Sequence, residues 1–344
     1  HINIKSGINP IPGLRIRWLG AFGYEISDEN TTILIDPFLS RPKTTDLFKT
    51  LFIDTSAVDE YLLSSIDLSS IEAILITHSH YDHLQDVPYV LSKYGDPTQR
   101  PIVIGDPNMS KIIKGYDDNV GIDWSDRIGG LLDTRLKVLD FESDISIINI
   151  GKFGLFNITA FQNQHPNYDY IPWRGPQGKI NDKPPYHSWD YKTYNDMSIG
   201  YIIEYNGLRI CFADSPLIKN PLVIGDVDIL IQSIAVRAYN NISKCLEELR
   251  PIYYIPAHYD DFFQPFKKFD RFDTLIGTEL FFRNSKKSSN TSSLLNYIRY
   301  DEFFSEFNNQ YIPEAMTSKK IIIEPKLRLL KLMYYYSIES LIIK

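Results

Sequence analysis

The chain lacks the features that would place it among disulfide-rich, membrane-spanning or nucleic-acid-binding proteins. It holds only two cysteines in 344 residues, too few for a disulfide framework or a thiolate metal site. Its longest apolar runs, such as Ile33–Ile35 and Ile321–Ile323, are far shorter than the roughly 20 residues that span a bilayer. Basic residues are outnumbered, since 36 Lys and Arg stand against 43 Asp and Glu. We therefore expect no transmembrane segment and no nucleic-acid partner.

The sequence does contain enough apolar residues for a large core, and its histidines are unevenly distributed. Hydrophobic residues make up 43% of the chain and aromatic residues 13%, which excludes global disorder. Three of the seven histidines fall within the single segment Thr77–Leu84. Histidine binds metals and exchanges protons near neutral pH, so this clustering indicates a candidate site.

Short apolar runs separated by turn residues predict a chain rich in strands, with helices between them. Ile71–Thr77 is a nearly continuous apolar run of strand length, and the histidine cluster follows it directly. Leu84–Tyr94 then has the spacing of a helix. Two further predicted strands, Ile199–Tyr205 and Leu208–Phe212, are joined by an Asn-Gly pair, which is a strong hairpin signal.

The histidine cluster has the spacing of a metal-binding loop. His78 and His80 lie two residues apart at the end of the predicted strand, where both side chains can turn toward one point. Asp82 and His83 follow where the chain curls into a helix, and they can turn toward a neighbouring point. Imidazole nitrogens and carboxylate oxygens suit Zn²⁺, Fe and Mn. The pattern predicts two divalent cations held side by side.

This HxHxDH motif behind an apolar strand resembles the signature of the metallo-β-lactamase superfamily. The resemblance spans roughly residues 14 to 265 and implies an α/β (α+β) fold, a four-layer αββα sandwich. It implies three more ligands, each behind its own strand. The implied set is His78, His80 and His165 on one metal, Asp82, His83 and His258 on the other, and Asp214 between them.

Shorter strings are similar to the branch that contains N-acylphosphatidylethanolamine-hydrolysing phospholipase D and the L-ascorbate phosphate lactonase proteins. They include Trp18-Leu19-Gly20 and Leu34-Ile35-Asp36-Pro37. The resemblance implies an enzyme that uses a metal-bridging hydroxide to cleave an ester, phosphodiester or lactone. One form of this prediction is an activity like that of phospholipase D. Zinc is the expected metal, with Fe or Mn as alternatives. A β-lactam hydrolase, and a non-hydrolytic metal-binding or redox member of the fold, are the alternative functions.

Several residues outside the ligand set are predicted to assist the site. Asp82 is expected to orient the attacking water and to pass its proton on, beside or instead of a purely ligating role. Asp36 is expected either to orient a ligand histidine or to cap local amides in a turn. His187 is predicted as catalytic, with a polar surface role as the alternative. The predicted contacts to a small or lipid-like substrate are Trp173, Arg174 and Trp189.

We expect one hydrolase domain over residues 1–268 and an extension over 269–344 that packs on it. The domain carries a predicted lid insertion at 166–196, which is Pro- and Gly-rich, loaded with Tyr and Trp, and too long for an ordinary connection. The apolar, basic segment Lys326–Lys344 could instead contact a membrane surface or a second subunit. Cytoplasmic location is favoured, with a removed leader sequence before His1 as the alternative.

Overall fold

The computed structural model describes most of the chain from residue 14 to residue 263. The described residues are 14–116, 132–141, 147–165, 176–180, 185–233, 239–251, 253–258 and 263. The predicted substrate contacts Trp173 and Arg174 lie outside the described residues, and so does the predicted extension 269–344. The packing of this extension, and the division of the chain into a domain over 1–268 and an extension, therefore stay predictions.

Within the described residues, strands form two six-stranded sheets whose order follows the chain. The first sheet contains β1 (Arg15–Gly20), β2 (Gly23–Ser27), β3 (Thr32–Ile35), β4 (Ile71–Leu75), β5 (Ile102–Gly105) and β6 (Leu136–Val138). The second contains β7 (Ile147–Phe153), β8 (Phe156–Gln164), β9 (Met197–Tyr205), β10 (Leu208–Ala213), β11 (Ile229–Ser233) and β12 (Tyr253–Ala257). Antiparallel pairs come first in each sheet, and parallel pairs follow from β3 to β6 and from β10 to β12.

The described helices are short. They are α1 (Thr55–Tyr61), α2 (Tyr81–Leu84), α3 (Val87–Ser92), α4 (Pro107–Gly115), α5 (Leu132–Arg135), α6 (Pro221–Ile224) and α7 (Tyr239–Leu249). Single 3₁₀ turns occur at Thr44–Phe48, Leu63–Ser65, Leu68–Ser70, Pro97–Gln99 and Ser188–Asp190. None of the helices in the described ranges is long and apolar enough to cross a lipid bilayer.

Alternation along the strands explains how the sheets pack. In β3, Ile33 and Ile35 join the core between the two sheets, whereas Leu34 joins a second core. That second core also contains Val90 of α3 and Ile112 of α4, so helices cover the outer face of the first sheet. Because successive side chains of a strand point to opposite faces, one apolar run serves both cores.

On the other side of the molecule, α7 covers the second sheet. Its residues Ile242, Cys245 and Leu249 are buried in the same cluster as Cys211 of β10. The layers are thus helix, sheet, sheet and helix, which confirms the predicted αββα sandwich. Both cysteines are free and buried.

One predicted helix is wrong in detail. The helix predicted over Leu84–Tyr94 is shorter in the structure: α3 spans Val87–Ser92, and Leu84 is instead the last residue of the preceding α2, with a break at Gln85 and Asp86. The buried carboxylate of Asp86 accepts hydrogen bonds from the backbone nitrogens of Leu39 and Ser40, at 2.5 and 2.9 Å. Pro88 stands in the first turn of α3, where its missing N–H is tolerated. The hydrogen bonds of Asp86 thus connect the residues between α2 and α3 to the loop after β3.

Candidate metal centre

The topology brings the predicted ligands together at one edge of the sandwich. His165, Asp214 and His258 directly follow β8, β10 and β12. These three strands run in the same direction, because β8 and β10 are both antiparallel to β9 while β12 and β10 are both parallel to β11. The loop with His78 to His83 follows β4 of the facing sheet. All seven residues therefore stand at carboxyl ends of strands, where sites in layered α/β folds collect.

Three histidines form the first group. The rings of His78, His80 and His165 form a triangle in which each pair of ring centroids is 4.7 Å apart. Nε2 of His78 lies 3.0 Å from Nδ1 of His80. The other nitrogen of His80, Nε2, donates a hydrogen bond of 3.1 Å to the carbonyl of Pro176. This bond selects the tautomer in which Nδ1 of His80 carries a lone pair toward the group.

A second group lies beside the first, and Asp214 stands between them. Nε2 of His258 and Nε2 of His83 lie 3.3 and 3.6 Å from Oδ2 of Asp82. Oδ2 of Asp214 lies 3.0 Å from Nδ1 of His78. Three sets of possible ligand atoms result, each with all atoms within 4.8 Å of one another: His78, His80 and His165; His78, His83 and Asp214; and Asp82, His83 and His258.

Asp36 anchors the histidine loop through hydrogen bonds from His83 and Thr77. Its Oδ2 accepts hydrogen bonds from Nδ1 of His83 at 2.7 Å and from the hydroxyl of Thr77 at 2.5 Å. Its Oδ1 accepts from the backbone nitrogen of Thr77 at 2.8 Å. Asp36 is fully buried, and its partners lie 41 and 47 residues away in sequence. Of the two predicted roles, the geometry agrees with orientation of a ligand histidine and not with a local turn.

The two groups differ in their electrostatics. Burial lowers the pKa of His78, His80 and His165, and neighbouring imidazoles lower it further for His78 and His165. Burial would also lower the pKa of His83, but the carboxylates of Asp82, Asp36 and Asp214 outweigh it and raise this pKa to about 10. For Asp82, burial is outweighed by His83 and His258, which lower the pKa of the carboxyl group.

The donor set suits divalent cations. Two nitrogens bound to one tetrahedral Zn²⁺ at 2.0 to 2.1 Å lie about 3.3 Å apart, close to the 3.0 Å between His78 Nε2 and His80 Nδ1. Neutral imidazole is the form that binds metal, and the lowered pKa values of the first group keep that form at pH 7. The second group adds the carboxylate that a hydrolytic metal site commonly contains.

The beta-lactamase superfamily domain matches residues 31–236 of this chain, more than half of its length. The chain belongs to this superfamily. The matched range contains six of the seven site residues and ends before His258.

A UPF0173 metal-dependent hydrolase of Staphylococcus aureus (strain JH9) is 24% identical over 251 residues, which cover 72% of this chain and 87% of the relative. We therefore class the chain among the metal-dependent hydrolases of the superfamily.

Two solved structures show similar folds. A metallo hydrolase of Ignicoccus hospitalis, Igni18, has a TM-score of 0.45 and 15% identity, and the match covers 80% of this chain and 91% of that one. The diiron β-hydroxylase CmlA of Streptomyces venezuelae has a TM-score of 0.41 and 13% identity, covering 83% of this chain and 53% of that one. At these scores, neither likeness bears on the substrate or the metal of this superfamily member.

The predicted catalytic His187 is not brought into either group by its described contacts. Its Nδ1 lies 3.3 Å from Oδ2 of Asp190, and its ring stacks on Trp189 with centroids 4.3 Å apart. The Trp189 side chain is 42% exposed. The stacked pair agrees with a surface role for His187, and the catalytic role and the substrate contact of Trp189 stay predictions.

Sequence reasoning missed the residues that support this superfamily site from α4. The hydroxyl of Ser79, between two site histidines, donates a 2.5 Å hydrogen bond to Oδ1 of Asp106, which caps the N-terminus of α4. Burial raises the pKa of Asp106 to about 6. An Asp-Pro pair directly after strand β5 is a helix-start signal that could have identified the cap. No pattern in the sequence predicts the hydrogen bond between Asp106 and Ser79.

The early Trp18 is tied to the last site histidine. The carbonyl of Ala21 accepts hydrogen bonds of 3.1 Å from Nε1 of Trp18 and from the backbone nitrogen of His258. His258 and Ala21 both have positive φ angles, 56° and 45°, which non-glycine residues adopt only where the surroundings impose them. The turn between β1 and β2 thus helps to fix the backbone of a site residue at the end of β12.

Proposed function

We propose that this protein hydrolyses its substrate with two divalent cations, one held by His78, His80 and His165 and the other by Asp82, His83 and His258, with Asp214 between them. The observation that supports this most directly is the overlap of the three groups of ligand atoms, which share His78 and His83. When bound, such a cation pair polarises the scissile bond and lowers the pKa of a water molecule. Zinc is the proposed metal, with Fe and Mn as the alternatives.

The protein's own residues would then divide the work. The three neutral imidazoles of the first group supply lone pairs without any loss of protons near pH 7. Asp82 keeps its negative charge, because the pKa of its carboxyl group is lowered. A carboxylate of low pKa stays ionised, so it is free to accept a hydrogen bond from water but stores a proton poorly, and we assign Asp82 the orientation of the attacking water beside its ligating role. Asp36 keeps the His83 ring aimed at Asp82.

We propose an ester, phosphodiester or lactone as the substrate, with an apolar part as in a phospholipase D substrate. The support is a pair of exposed aromatic side chains on the loop after β3. Phe48 and Phe52 are 75% and 61% exposed, and the hydroxyl of Ser188, next to the exposed Trp189, donates to the carbonyl of Leu47 at 3.0 Å. This hydrogen bond joins the two segments that carry the exposed aromatic residues, and exposed apolar surface can mark a binding site.

Metal analysis with variants of single histidines tests the cation pair. The wild-type protein, purified with excess zinc, is expected to hold about two Zn²⁺ per chain, and His80→Ala or His258→Ala about one. His187→Ala is the matched control for metal content, because its described contacts reach neither group. Wild-type protein with less than one metal per chain, and no loss on changing His80, would contradict the proposal.

A hydrolysis screen on the same preparations tests the substrate class. We expect turnover of phosphodiesters or lactones. The rate should fall at least a hundredfold in His80→Ala, because the first cation would lose a ligand and the scissile bond would lose its polarisation. β-Lactams belong in the screen as the competing class. The rate of His187→Ala, measured at full metal occupancy, decides separately whether His187 takes part in catalysis.

A further inference from the structure

Residues 176–180 and 185–196, here called the flanking segment, touch the first group at both ends. The carbonyl of Pro176 accepts from Nε2 of His80 at 3.1 Å, and the carbonyl of Asp196 accepts from the backbone nitrogen of His165 at 2.7 Å. The carbonyl of Pro176 also accepts from the backbone nitrogen of Thr193 at 3.0 Å, so the two described parts of the segment pair with each other. The position of this segment therefore decides how the His80 ring is held.

One side chain joins both parts of the flanking segment to the fold. Asn108, the second residue of α4, is buried. Its Nδ2 donates two hydrogen bonds of 2.8 Å, to the carbonyls of Gly178 and Lys192, and its Oδ1 accepts from the backbone nitrogen of Ile180 at 3.3 Å. The amide thus uses both donors and its acceptor. The two carbonyls belong to residues next to Gln177 and Thr193, which form a β-bridge. Asn108 therefore binds both paired parts of the flanking segment.

The same helix start also holds the histidine loop. Asp106 caps α4 and accepts from Ser79, which lies between His78 and His80. The first turn of α4 therefore contacts the histidine loop through Asp106 and the flanking segment through Asn108. The two contacts set the distance between the His80 ring and the carbonyl of Pro176, because each partner is attached to the same rigid turn.

We propose that Asn108 is a positioning residue for the first metal group: it places the carbonyl of Pro176 on His80, and so fixes the tautomer and the aim of that ligand. This inference rests on the proposed cation pair. Partners behind a ligating histidine commonly change metal affinity by about 10- to 100-fold when they are lost. Asn108 acts one step further back, through the flanking segment, and a loss near tenfold is expected for its removal.

A zinc competition titration with a chromophoric chelator tests this on the full chain. The His80→Ala variant first identifies which of the two binding steps belongs to the first group. Asn108→Ala should weaken that step about tenfold and change the other by less than twofold. Asn157→Ala is the matched control, because it also removes an asparagine hydrogen bond, the 3.2 Å contact to Glu204, at the opposite end of β8. Both of its steps should equal those of the wild type.

Cobalt substitution adds a spectroscopic readout that a general loss of stability would not produce. With Co²⁺ in place of zinc, Asn108→Ala should alter the absorption bands of the first-group ion and leave those of the second unchanged. Unchanged affinity and bands in a folded Asn108→Ala protein overturn the inference, and so does an equal weakening of both steps. If Asn108→Ala does not fold, Asn108→Asp, which retains the side-chain volume and the acceptor but not the donors, is judged by the same outcomes. A wild-type protein that binds no zinc refutes the proposed function itself.

Discussion

Nδ1 of His83 donates a 2.7 Å hydrogen bond to Oδ2 of Asp36, although the two residues lie 47 positions apart in the chain. Both side chains are buried, and the contact joins the end of β3 to the helix turn that follows β4. It leaves Nε2 of His83 facing Asp82. A buried carboxylate behind a ligand imidazole raises its basicity and fixes its orientation.

Replacing Asp36 by Asn should therefore weaken cation binding at the second group by about 10- to 100-fold, because His83 loses its charged acceptor. The same zinc titration measures this. Asp28→Asn is the control, since Asp28 is also a buried carboxylate, bonded to the backbone nitrogens of Asn30 and Thr31 in a remote turn. Equal affinities in the wild type and Asp36→Asn would show that the contact is only structural.

The two groups should respond differently to pH. His83 has a pKa of about 10 and is protonated at pH 7, so a cation at the second group must displace its proton. The logarithm of that affinity should rise by about one per pH unit between pH 7 and 9. The first-group histidines have pKa values below the ordinary 6.5, so their affinity should be flat over this range.

Proton release in weakly buffered solution checks the pH prediction, counted for each zinc added. About one proton is expected from His83 as the second group fills, and that proton should disappear in His83→Gln. Release that is identical in both proteins would mean that His83 is neutral before zinc binds.

A close approach between strands makes Gly200 of β9 sensitive to substitution. A Cβ at this position would lie 1.9 Å from Cζ of Phe161, its partner in β8. Gly200→Ala should lower the free energy of unfolding by at least about 1–3 kcal/mol, because the core must shift to admit the methyl group. Urea denaturation measures it. Gly95→Ala, where nothing lies within 4 Å, should change stability by less than about 0.5 kcal/mol.

Tyr201 joins the second sheet to the strand ends beneath the site. Its buried hydroxyl donates to the carbonyl of Ile76 at 2.8 Å and lies 3.2 Å from that of Ile104. Tyr201→Phe should cost about 1–3 kcal/mol in the free energy of unfolding, since a buried carbonyl loses its partner. Tyr94→Phe, which loses a part-buried bond to Leu68, should cost less. If both variants lose the same free energy of unfolding in thermal or urea denaturation, the burial of the Tyr201 hydrogen bond does not increase its contribution to stability.

The sequence by itself determined which residues could form the metal centre. The spacing of the loop from His78 to His83 is a local property that predicts a metal site, whereas the resemblance to the superfamily implied His165, Asp214 and His258 behind later strands, whose direction places them at the same edge. This is why the seven predicted ligands, from His78 to His258, are found together. The layers were implied by the resemblance to the superfamily, and alternation along strands such as β3 explains how one apolar run serves both cores.

Only the tertiary structure decided which atoms face one another. The break at Asp86, the choice between two roles for Asp36, and the contacts of Asn108 all depend on partners tens of residues away. No local pattern encodes such distances, because a buried polar group can be satisfied by any segment that packing brings near it. The sequence therefore specified the chemistry of the ligands, and packing specified their tautomers, their aim and the segment that holds them.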